Sequence, residues 1–486
     1  VPGFRPLVSP ISLFGGLLPR IPSLNPGITW QWDERKTAYF NHSYDVISFV
    51  PLLIGGPCVY TCSLDVMRQV LGNEIKAGLA KPPDMTMDKL WGPSVASGGG
   101  DLWKRHRRIV GPAFNTKTYQ LVRETTQELY QEMIEREGWI NKPEVTIALL
   151  NQHMIKFSLL TLARCAFGMP VSWASVDTSE GEDMSFTEAI TVAAETIIAN
   201  LMLPDWMFKL PFKPLQNIDR AWNTFYDFVN AHIRSISEDI NKQKDNDEND
   251  SRNADVLRRL IASSESDGKY RLSEREVVLL MKYLSIETTA NGMIATLSYL
   301  AIHQDEQENA YMDVKGRLGP NGELDIPNSN ALPYLRACFL EGVRLFTGPL
   351  VIPRTLAEDF PIKVERPSPH VVVLPKGSRV IVDLINTLRN PNDFENPEQY
   401  KPSRWLRASE LDLPMFGTGP RACIGRKLAL TEAVLLLALF LRDWVLDIDL
   451  APGETRSEYE KRVMKVGSFA GTILPIDSVS LKIRRR

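Results

Sequence analysis

Apolar residues recur at the spacing of amphipathic helices in several long stretches of the 486-residue chain. The longest predicted helical stretches are residues 118–240, 273–303, 335–345 and 426–441. Short β-type runs bounded by glycine or proline occur at 48–54, 58–61, 371–374, 379–382, 467–473 and 479–483. The pattern predicts a mainly α protein with small β-sheets (α+β), in which 48–54 pairs with 58–61 and 371–374 forms a hairpin with 379–382.

The helix predicted over residues 273–303 has a polar centre. Ser273 and Glu276 form a capping box before an apolar run without proline, which gives a helix of roughly 45 Å at ~1.5 Å per residue. The middle of the run reads Ser-Ile-Glu-Thr-Thr at 285–289. Polar groups inside a buried helix are costly unless they are used. The sequence therefore favours a functional cluster here, with a helix that partly faces water as the alternative.

A loop rich in glycine and proline, Phe416-Gly-Thr-Gly-Pro-Arg-Ala-Cys-Ile-Gly425, presents one cysteine just before a predicted helix. Unpaired N–H groups and the helix dipole favour a negative charge at a helix N-terminus, so a thiolate is stabilised there. Cys423 is therefore a candidate nucleophile or metal ligand. The alternative for a lone cysteine is a small buried hydrophobic residue.

Five positions of this loop match the pattern F-x-x-G-x-R-x-C-x-G, namely Phe416, Gly419, Arg421, Cys423 and Gly425. The pattern resembles the haem-binding loop of the cytochrome P-450 superfamily, in which the cysteine thiolate is the axial iron ligand. The resemblance implies haem b ligated by Cys423 and contacted by Phe416, Arg421 and Gly425. It also implies the P-450 fold, with residues 1–486 as a single large haem-enclosing catalytic domain.

The composition of the chain argues against several other classes of protein. A net charge of −3 gives no reason to expect nucleic acid as a partner. The five cysteines are odd in number and lack C-x-x-C spacing, which argues against a disulfide scaffold or a zinc site. No run of about eighteen apolar residues indicates a membrane-spanning helix. No flavin or nucleotide fingerprint is present in the sequence.

Residues 1–45 are rich in proline, glycine and aromatic side chains. They resemble the proline-rich hinge that follows the N-terminal anchor in eukaryotic, microsomal members of the family, and a fungal source is compatible with this style. We expect a hinge after a removed anchor, contact with a membrane surface, and a catalytic domain on the cytosolic side of the endoplasmic reticulum membrane. A proline-rich start of a soluble protein would look similar.

The resemblance also implies a role for a tryptophan and an arginine in the first half of the chain. Trp103 and Arg107 lie four residues apart on one face of a predicted helix that starts at Asp101. Alone, they would indicate a solvated basic face. The resemblance implies that they reach the haem propionates, as does Arg354, because a buried carboxylate needs charge-assisted hydrogen bonds.

Glu341 and Arg344 form an E-x-x-R pair, which alone is a common surface ion pair of little energetic weight. Arg404 follows later in the chain, and the three residues resemble the Glu-Arg-Arg network of the family. The resemblance implies a structural role, in which Glu341 holds both arginines and supports the cysteine loop.

The polar cluster of the long helix resembles the oxygen-activation motif A/G-G-x-D/E-T-T, with the acid at Glu287 and the alcohol at Thr288. Leu284 and Ser285 depart from the small residues usual at the first two positions. Ser285 adds a hydrogen-bonding group or crowds the oxygen pocket. The resemblance implies that Glu287 and Thr288 deliver protons during oxygen activation.

The implied activity is a monooxygenase that inserts one atom of O2 into a hydrophobic small molecule. Its electrons must come from outside the chain, and basic residues at 104–108 with Arg426 and Lys427 offer a face for an NADPH-dependent flavoprotein reductase. The alternatives are a reductase-independent haem-thiolate isomerase or dehydratase, and a non-catalytic haem-binding or sensor protein.

The substrate pocket is expected to include apolar residues from several segments together with one serine: Trp91, Ser285, Leu350, Val351 and Phe469. Such a lining predicts a terpenoid, fatty acyl or aromatic substrate, bound by burial with few polar anchors. We expect a monomer. No motif in the sequence specifies the natural substrate or the position of oxidation.

Overall fold

The structure is a computed structural model. It describes the chain except at residues 11, 13, 16–17, 22–23, 28, 41–42, 74–77, 83–94, 96–97, 170, 174–183, 185–187, 190–191, 193–195, 197–202, 204, 243–255, 259–260, 262–285, 347, 465, 470–471 and 476–478. Its helices are α1 Trp30–Asp33, α2 Leu64–Gly72, α3 Gly100–Val110, α4 Thr116–Arg136, α5 Leu150–Phe167, α6 Asp205–Phe208, α7 Lys213–Lys242, α8 Ile286–Ile302, α9 Gln304–Lys315, α10 Pro333–Leu345, α11 Leu384–Thr387, α12 Arg426–Asp443 and α13 Arg456–Val463. Its strands are β1 Gly3–Phe4, β2 Val46–Phe49, β3 Cys58–Thr61, β4 Leu79–Ala80, β5 Glu144–Ile147, β6 Val351–Leu356, β7 Phe360–Val364, β8 His370–Leu374, β9 Arg379–Asp383, β10 Trp444–Ile448, β11 Val466–Phe469, β12 Thr472–Pro475 and β13 Leu481–Arg485.

The helical core is built around α12. Every residue from Leu430 to Leu441 is buried, because a helix that is apolar on all faces is stable only when protein surrounds it. Helices α4, α9 and α10 pack on it, and α8 packs on α5 and α10. The residues just before α12 are thereby attached to a helix that is buried along most of its length.

Two glycines let α8 and α10 approach closely. A Cβ atom at Gly292 would lie 2.8 Å from Val343 and 2.9 Å from Phe339, and one at Gly342 would lie 2.5 Å from the Thr296 hydroxyl. Real Cβ atoms do not come this near to other heavy atoms, so the close contact requires glycine on both helices. The contact fixes the position of α8 over the core.

The sheets follow the predicted β content but not all of the predicted pairing. The largest sheet has the order β1-β2-β3-β9-β6-β4, and β10, β13 and β5 form a second one. The predicted pairing of β2 with β3 is confirmed. The predicted 371–382 hairpin is wrong: β8 pairs with β7, whereas β9 lies between β3 and β6. Burial explains the difference, because Val380 to Asp383 are fully enclosed while most of β8 is exposed.

Several sequence predictions fall wholly or partly outside the described residues. For the helix expected at 273–303, the structure describes α8 from Ile286 onward, and the capping box lies outside the described part. The helix expected to start at Asp101 begins at Gly100, with Gly99 as its N-cap. Among the described helices, none combines the length and apolar character that crossing a membrane requires.

Glu432 is a buried carboxyl group between α12 and α5. It is 3% exposed, and the Ser158 hydroxyl donates a 2.8 Å hydrogen bond to its Oε1 atom. Burial raises the pKa of Glu432 to about 8, against a partial lowering by the Ser158 hydrogen bond. The group is therefore neutral in the folded protein at pH values where it is ionised in the unfolded chain.

This difference makes Glu432 a source of pH-dependent stability. Its folded pKa lies above its unfolded pKa, so the folded state is favoured most below about pH 4.5 and loses that advantage as the pH rises to about 8. Replacement by the neutral isostere, Glu432→Gln, is expected to raise the free energy of unfolding at pH 7.5 by on the order of 2–4 kcal/mol and to change it little at pH 4.5. Urea unfolding across this pH range measures the effect. Glu308→Gln, an exposed carboxylate, serves as the control, and equal pH profiles for parent and Glu432→Gln would contradict the assignment.

Candidate active site around Cys423

The loop before α12 is folded into two short 3-10 turns that bring Cys423 back to Phe416. The turns span Pro414–Phe416 and Gly419–Arg421, and the Cys423 N–H donates a 2.8 Å hydrogen bond to the Phe416 carbonyl oxygen. Gly419 has φ +74°, and a Cβ atom there would lie 2.3 Å from the Leu71 carbonyl oxygen. A larger residue does not fit at this position, so the loop requires glycine at residue 419.

Cys423 lies in surroundings unlike those of the other cysteines. All five cysteines belong to the described part of the chain; Cys423 is exposed and the other four are buried. Burial of the sulfur by surrounding protein raises the Cys423 pKa, while the backbone N–H groups of Gly425 and Arg426 and the charges of Arg107 and Arg426 lower it. The Cys423 side chain is therefore accessible, and backbone N–H groups and two cations act on its sulfur.

These features fit a haem bound through a thiolate. Two backbone N–H groups and two cations face the sulfur, which is the environment that stabilises a metal-bound thiolate. A Cβ atom at Gly425, two residues after Cys423, would meet no protein atom within 4 Å, so protein atoms leave open space at this position. Within the described residues no cluster of three or more potential metal ligands occurs. A lone cysteine ligand suits an iron whose other ligands belong to a macrocycle.

The predicted Trp103 and Arg107 pair lies beside this loop. Trp103 is buried in α3, and the Arg421 guanidinium stacks over its ring at 4.4 Å, which connects α3 to the cysteine loop. Arg107 is half-buried; its burial lowers its pKa, and a negative charge on Cys423 opposes that lowering. Arg354 is buried on β6 with Nη1 donating to the Pro353 carbonyl. The structure thus brings Trp103, Arg107 and Arg421 to Cys423 and holds Arg354 in the large sheet.

Glu341 is fully buried and accepts hydrogen bonds from both arginines expected to contact it. Arg344 donates from Nε at 2.7 Å and from Nη2 at 2.9 Å, and Arg404 donates from Nε at 2.9 Å. The Lys401 N–H and the Trp405 indole N–H donate at 2.9 and 2.8 Å. Burial raises the pKa of Glu341, but the hydrogen bonds and charge of Arg344, together with Arg404 and the Lys401 N–H, lower it more. The pKa of Glu341 therefore lies below its usual value. The carboxylate stays charged and joins α10 to the segment before the cysteine loop.

The predicted distal residues are described in part. Thr288 is half-buried on α8, and its methyl carbon lies so close to Gly348 that a Cβ atom there would be 2.6 Å away. This contact sets α8 against the segment that leads to Leu350, which is buried, and Val351, which is half-buried. Glu287 lies in α8 and Phe469 in β11, but their side chains are outside the described part. Trp91, Leu284 and Ser285 lie outside the described residues.

Sequence reasoning missed several residues of the site. The sequence assigns no role to Trp405, the residue after Arg404, and nothing in the sequence around Gly348 indicates its contact with α8. The indole donor of Trp405 could have been anticipated, because a buried carboxylate between arginines has spare acceptor positions.

Comparisons with known proteins give a consistent picture. The family model described as Cytochrome P450 matches residues 36–466. Cytochrome P450 monooxygenase 124 of Postia placenta is 27% identical over 471 residues, covering 94% of this chain and 89% of that protein. Human cytochrome P450 4F11 and mouse leukotriene-B4 omega-hydroxylase 3 are each 26% identical, over 79% of this chain and 74% of theirs. The crystal structure of the cytochrome P450DA heme domain superposes with a TM-score of 0.65 at 19% identity, covering 91% of this chain and 90% of that one.

The Glu341 contacts predict a large loss of stability when its charge is removed. Glu341→Gln keeps the shape but leaves Arg344, which is fully buried, without its charged partner. We expect the free energy of unfolding to fall by about 3–5 kcal/mol, the usual cost of breaking a buried ion pair from one side. Denaturant unfolding of the variant measures it. Glu395→Gln, which breaks the exposed pair with Lys401, is the control and should change the free energy of unfolding far less, because solvent screens exposed ion pairs. Similar small losses in both variants would refute the prediction.

Proposed function

The chain belongs to the cytochrome P450 family, and from that premise we propose that it is a haem-thiolate monooxygenase with Cys423 as the axial ligand of haem b. The supporting observation is the accessible Cys423 side chain at the N-terminus of the buried helix α12, facing backbone N–H groups and cations. A matching family model and relatives named monooxygenases support the same activity. Residues 1–486 form the catalytic domain in this proposal, with 1–45 as its hinge.

The proximal residues hold the cofactor in this proposal. When bound, the haem supplies oxygen activation, which the electron-rich thiolate promotes. Cys423 is oriented by its own N–H bond to Phe416 and by the N–H groups of Gly425 and Arg426. Trp103, Arg107 and Arg354 would donate hydrogen bonds to the propionates, and Arg421 keeps Trp103 in position by stacking on its ring.

The distal residues move protons in this proposal. Removing one oxygen atom as water needs two protons delivered on the substrate side. Thr288 would hold a water molecule through its hydroxyl group, and Glu287, one residue earlier on α8, would pass protons from solvent. The contact of Thr288 with the Gly348 segment supports a fixed position for that hydroxyl next to Leu350 and Val351.

Electrons would enter at the basic surface formed by the start of α12 and the neighbouring α3. Arg426 and Arg107 lie near Cys423, and Lys427 is exposed with its ammonium 4.8 Å from the Tyr119 ring. A surface of this sign suits an acidic flavoprotein reductase that uses NADPH, because complementary charge steers association. Such a partner would also explain why the chain lacks a flavin-binding fingerprint.

The substrate in this proposal is a hydrophobic small molecule of the terpenoid, fatty acyl or aromatic class. Leu350 and Val351, which follow the Gly348 that contacts Thr288, would supply apolar lining. The relative named leukotriene-B4 omega-hydroxylase 3 supports keeping the fatty acyl class among the three.

The enzyme would work as a monomer at the cytosolic face of the endoplasmic reticulum membrane. Apolar side chains exposed in two regions support contact with a lipid surface: Phe14, Leu18, Leu52 and Leu53 near the N-terminus, and Trp206 and Phe212 around α6. The relatives include mammalian and fungal P450 proteins.

Oxygen incorporation tests the proposed function directly. The haem-loaded protein is mixed with a flavoprotein reductase, NADPH, ¹⁸O2 and one probe of each class, namely limonene, dodecanoic acid and naphthalene. We expect at least one probe to gain a single ¹⁸O atom in a reaction that needs both NADPH and reductase. Conversion without either would favour the isomerase or dehydratase alternative. Haem binding without any conversion across a wider hydrophobic library would favour the binding or sensor alternative.

The proton-delivery role of Thr288 predicts a loss of coupling. Thr288→Ala removes the hydroxyl group together with the methyl carbon that lies against Gly348. We expect NADPH to be consumed still, while oxygenated product per NADPH falls at least about tenfold, because proton transfer contributes factors of this size or more. Product and hydrogen peroxide are both measured. Thr289→Ala, about 100° further round α8, is the matched control, and equal coupling in the two variants would show that Thr288 has no special role.

A further inference from the structure

The turn that joins β7 to β8 presents a serine between two prolines. It reads Glu365-Arg-Pro-Ser-Pro369, and the two strands pair as far as Val364 with His370. Both prolines and Ser368 are exposed. Because proline has a fixed φ and no N–H donor, the residues around Ser368 cannot continue the ladder of the hairpin. Ser368 therefore lies in solvent beyond the end of the paired strands.

A proline directly after a serine is the signal that proline-directed protein kinases recognise. It also favours an extended backbone at the serine, which suits binding along the substrate groove of an enzyme. The chain contains two Ser-Pro dipeptides and no Thr-Pro dipeptide. The serine of the first, Ser9, is 2% exposed, and its backbone N–H donates a 2.8 Å hydrogen bond to the Ile54 carbonyl oxygen. Of these two serines, Ser368 is therefore the one that a kinase can reach in the folded protein.

Arg366 lies close enough to bind a phosphate on Ser368. The two residues are two positions apart, which limits the separation of their Cα atoms to roughly 7 Å. Nε of Arg366 donates a 2.9 Å hydrogen bond to Oδ1 of Asp45, and 29% of the arginine side chain is exposed. Its terminal Nη1 and Nη2 groups make no hydrogen bond within the described residues. The guanidinium can therefore bind a second anion without releasing Asp45.

Asp45 holds Arg366 and the turn in a fixed position. It is 1% exposed and directly precedes β2 of the large sheet. Its Oδ2 atom accepts hydrogen bonds from the backbone N–H groups of Glu365 and Arg366 at 2.8 and 2.9 Å. The imidazole of His370 also lies at the turn, with Nδ1 2.7 Å from the Ser368 carbonyl oxygen. A guanidinium that is already oriented loses little freedom when it binds an anion, which favours the binding.

We propose that Ser368 is a phosphorylation site for a proline-directed protein kinase and that Arg366 binds the resulting phosphate. In the reaction the Ser368 Oγ atom attacks the γ-phosphorus of MgATP. The new P–O bond forms as the bond to the leaving ADP oxygen breaks, and the hydroxyl proton passes to the catalytic base of the kinase. The phosphoserine carries a charge of about −1.5 to −2 at pH 7 and accepts charge-assisted hydrogen bonds from Arg366. One guanidinium then joins the modified turn to Asp45 and so to the large sheet.

Labelling of the folded, haem-loaded protein tests the site. The protein is incubated with MgATP and a mitogen-activated protein kinase, and the phosphorylated residues are identified by mass spectrometry. We expect phosphate on Ser368 and none on Ser9. Ser368→Ala should abolish that label, and Pro369→Ala, which keeps the hydroxyl group, should slow it at least about tenfold because the recognition signal is lost.

Synthetic peptides covering residues 4–14 and 363–373 serve as unfolded controls for the two Ser-Pro dipeptides. We expect the kinase to label both peptides, since each serine is accessible outside the fold. Labelling of both peptides together with labelling of Ser368 alone in the protein assigns the selection to the burial of Ser9. The proposal is overturned if Ser368 stays unlabelled in the folded protein, or if Pro369→Ala is labelled as fast as the parent.

A phosphorus NMR titration of the labelled protein tests the part assigned to Arg366. A neighbouring cation favours the doubly charged phosphate, so we expect the second pKa of the phosphate to lie below its value in the same protein unfolded in urea. Arg366→Gln should return this pKa towards the unfolded value. Lys376→Gln, which removes an exposed cation beyond the opposite end of β8, is the control and should leave the pKa lowered. Equal pKa values in the folded and unfolded parent would overturn the role of Arg366.

Discussion

The burial of α12 fixes the position of the Cys423 sulfur, which lies just before the start of this helix. Residues 430–441 are buried on all sides, so the helix cannot shift without disturbing the core. The loop before it closes on itself through the Cys423–Phe416 hydrogen bond, and Gly419 presses against Leu71 of α2. Core packing therefore sets the position of the Cys423 thiol, and the polar groups around it affect its pKa.

Charge around the thiol is organised on two levels. Close to the sulfur, backbone N–H groups and Arg107 with Arg426 favour a thiolate against the cost of burial. Further away, Glu341 compensates Arg344 and Arg404, so these cations serve the packing of α10 and do not add to the positive field.

The helical content, the cysteine loop before a helix and the pairing of β2 with β3 could all be predicted from the sequence. Each of these features depends on residues that are close together in the chain. The contacts of Glu341 with Arg404 join residues about sixty positions apart and could be expected only through family resemblance. The hairpin at 371–382 failed because β-type composition does not specify a partner: β9 is drawn into the large sheet, where it is buried on both sides. The contact of Thr288 with Gly348 arises from packing between elements that are distant in the chain, which no local pattern encodes.

The central claim is that Cys423 is the thiolate ligand of a haem. The most direct measurement is the carbon-monoxide difference spectrum of the dithionite-reduced protein, taken beside Cys423→Ala and, as a control for a buried thiol, Cys165→Ala. The account predicts a strongly red-shifted Soret band in the parent and in Cys165→Ala, and its loss in Cys423→Ala. Absence of haem in the well-folded parent, or a band typical of a neutral ligand while Cys423 is intact, would contradict it.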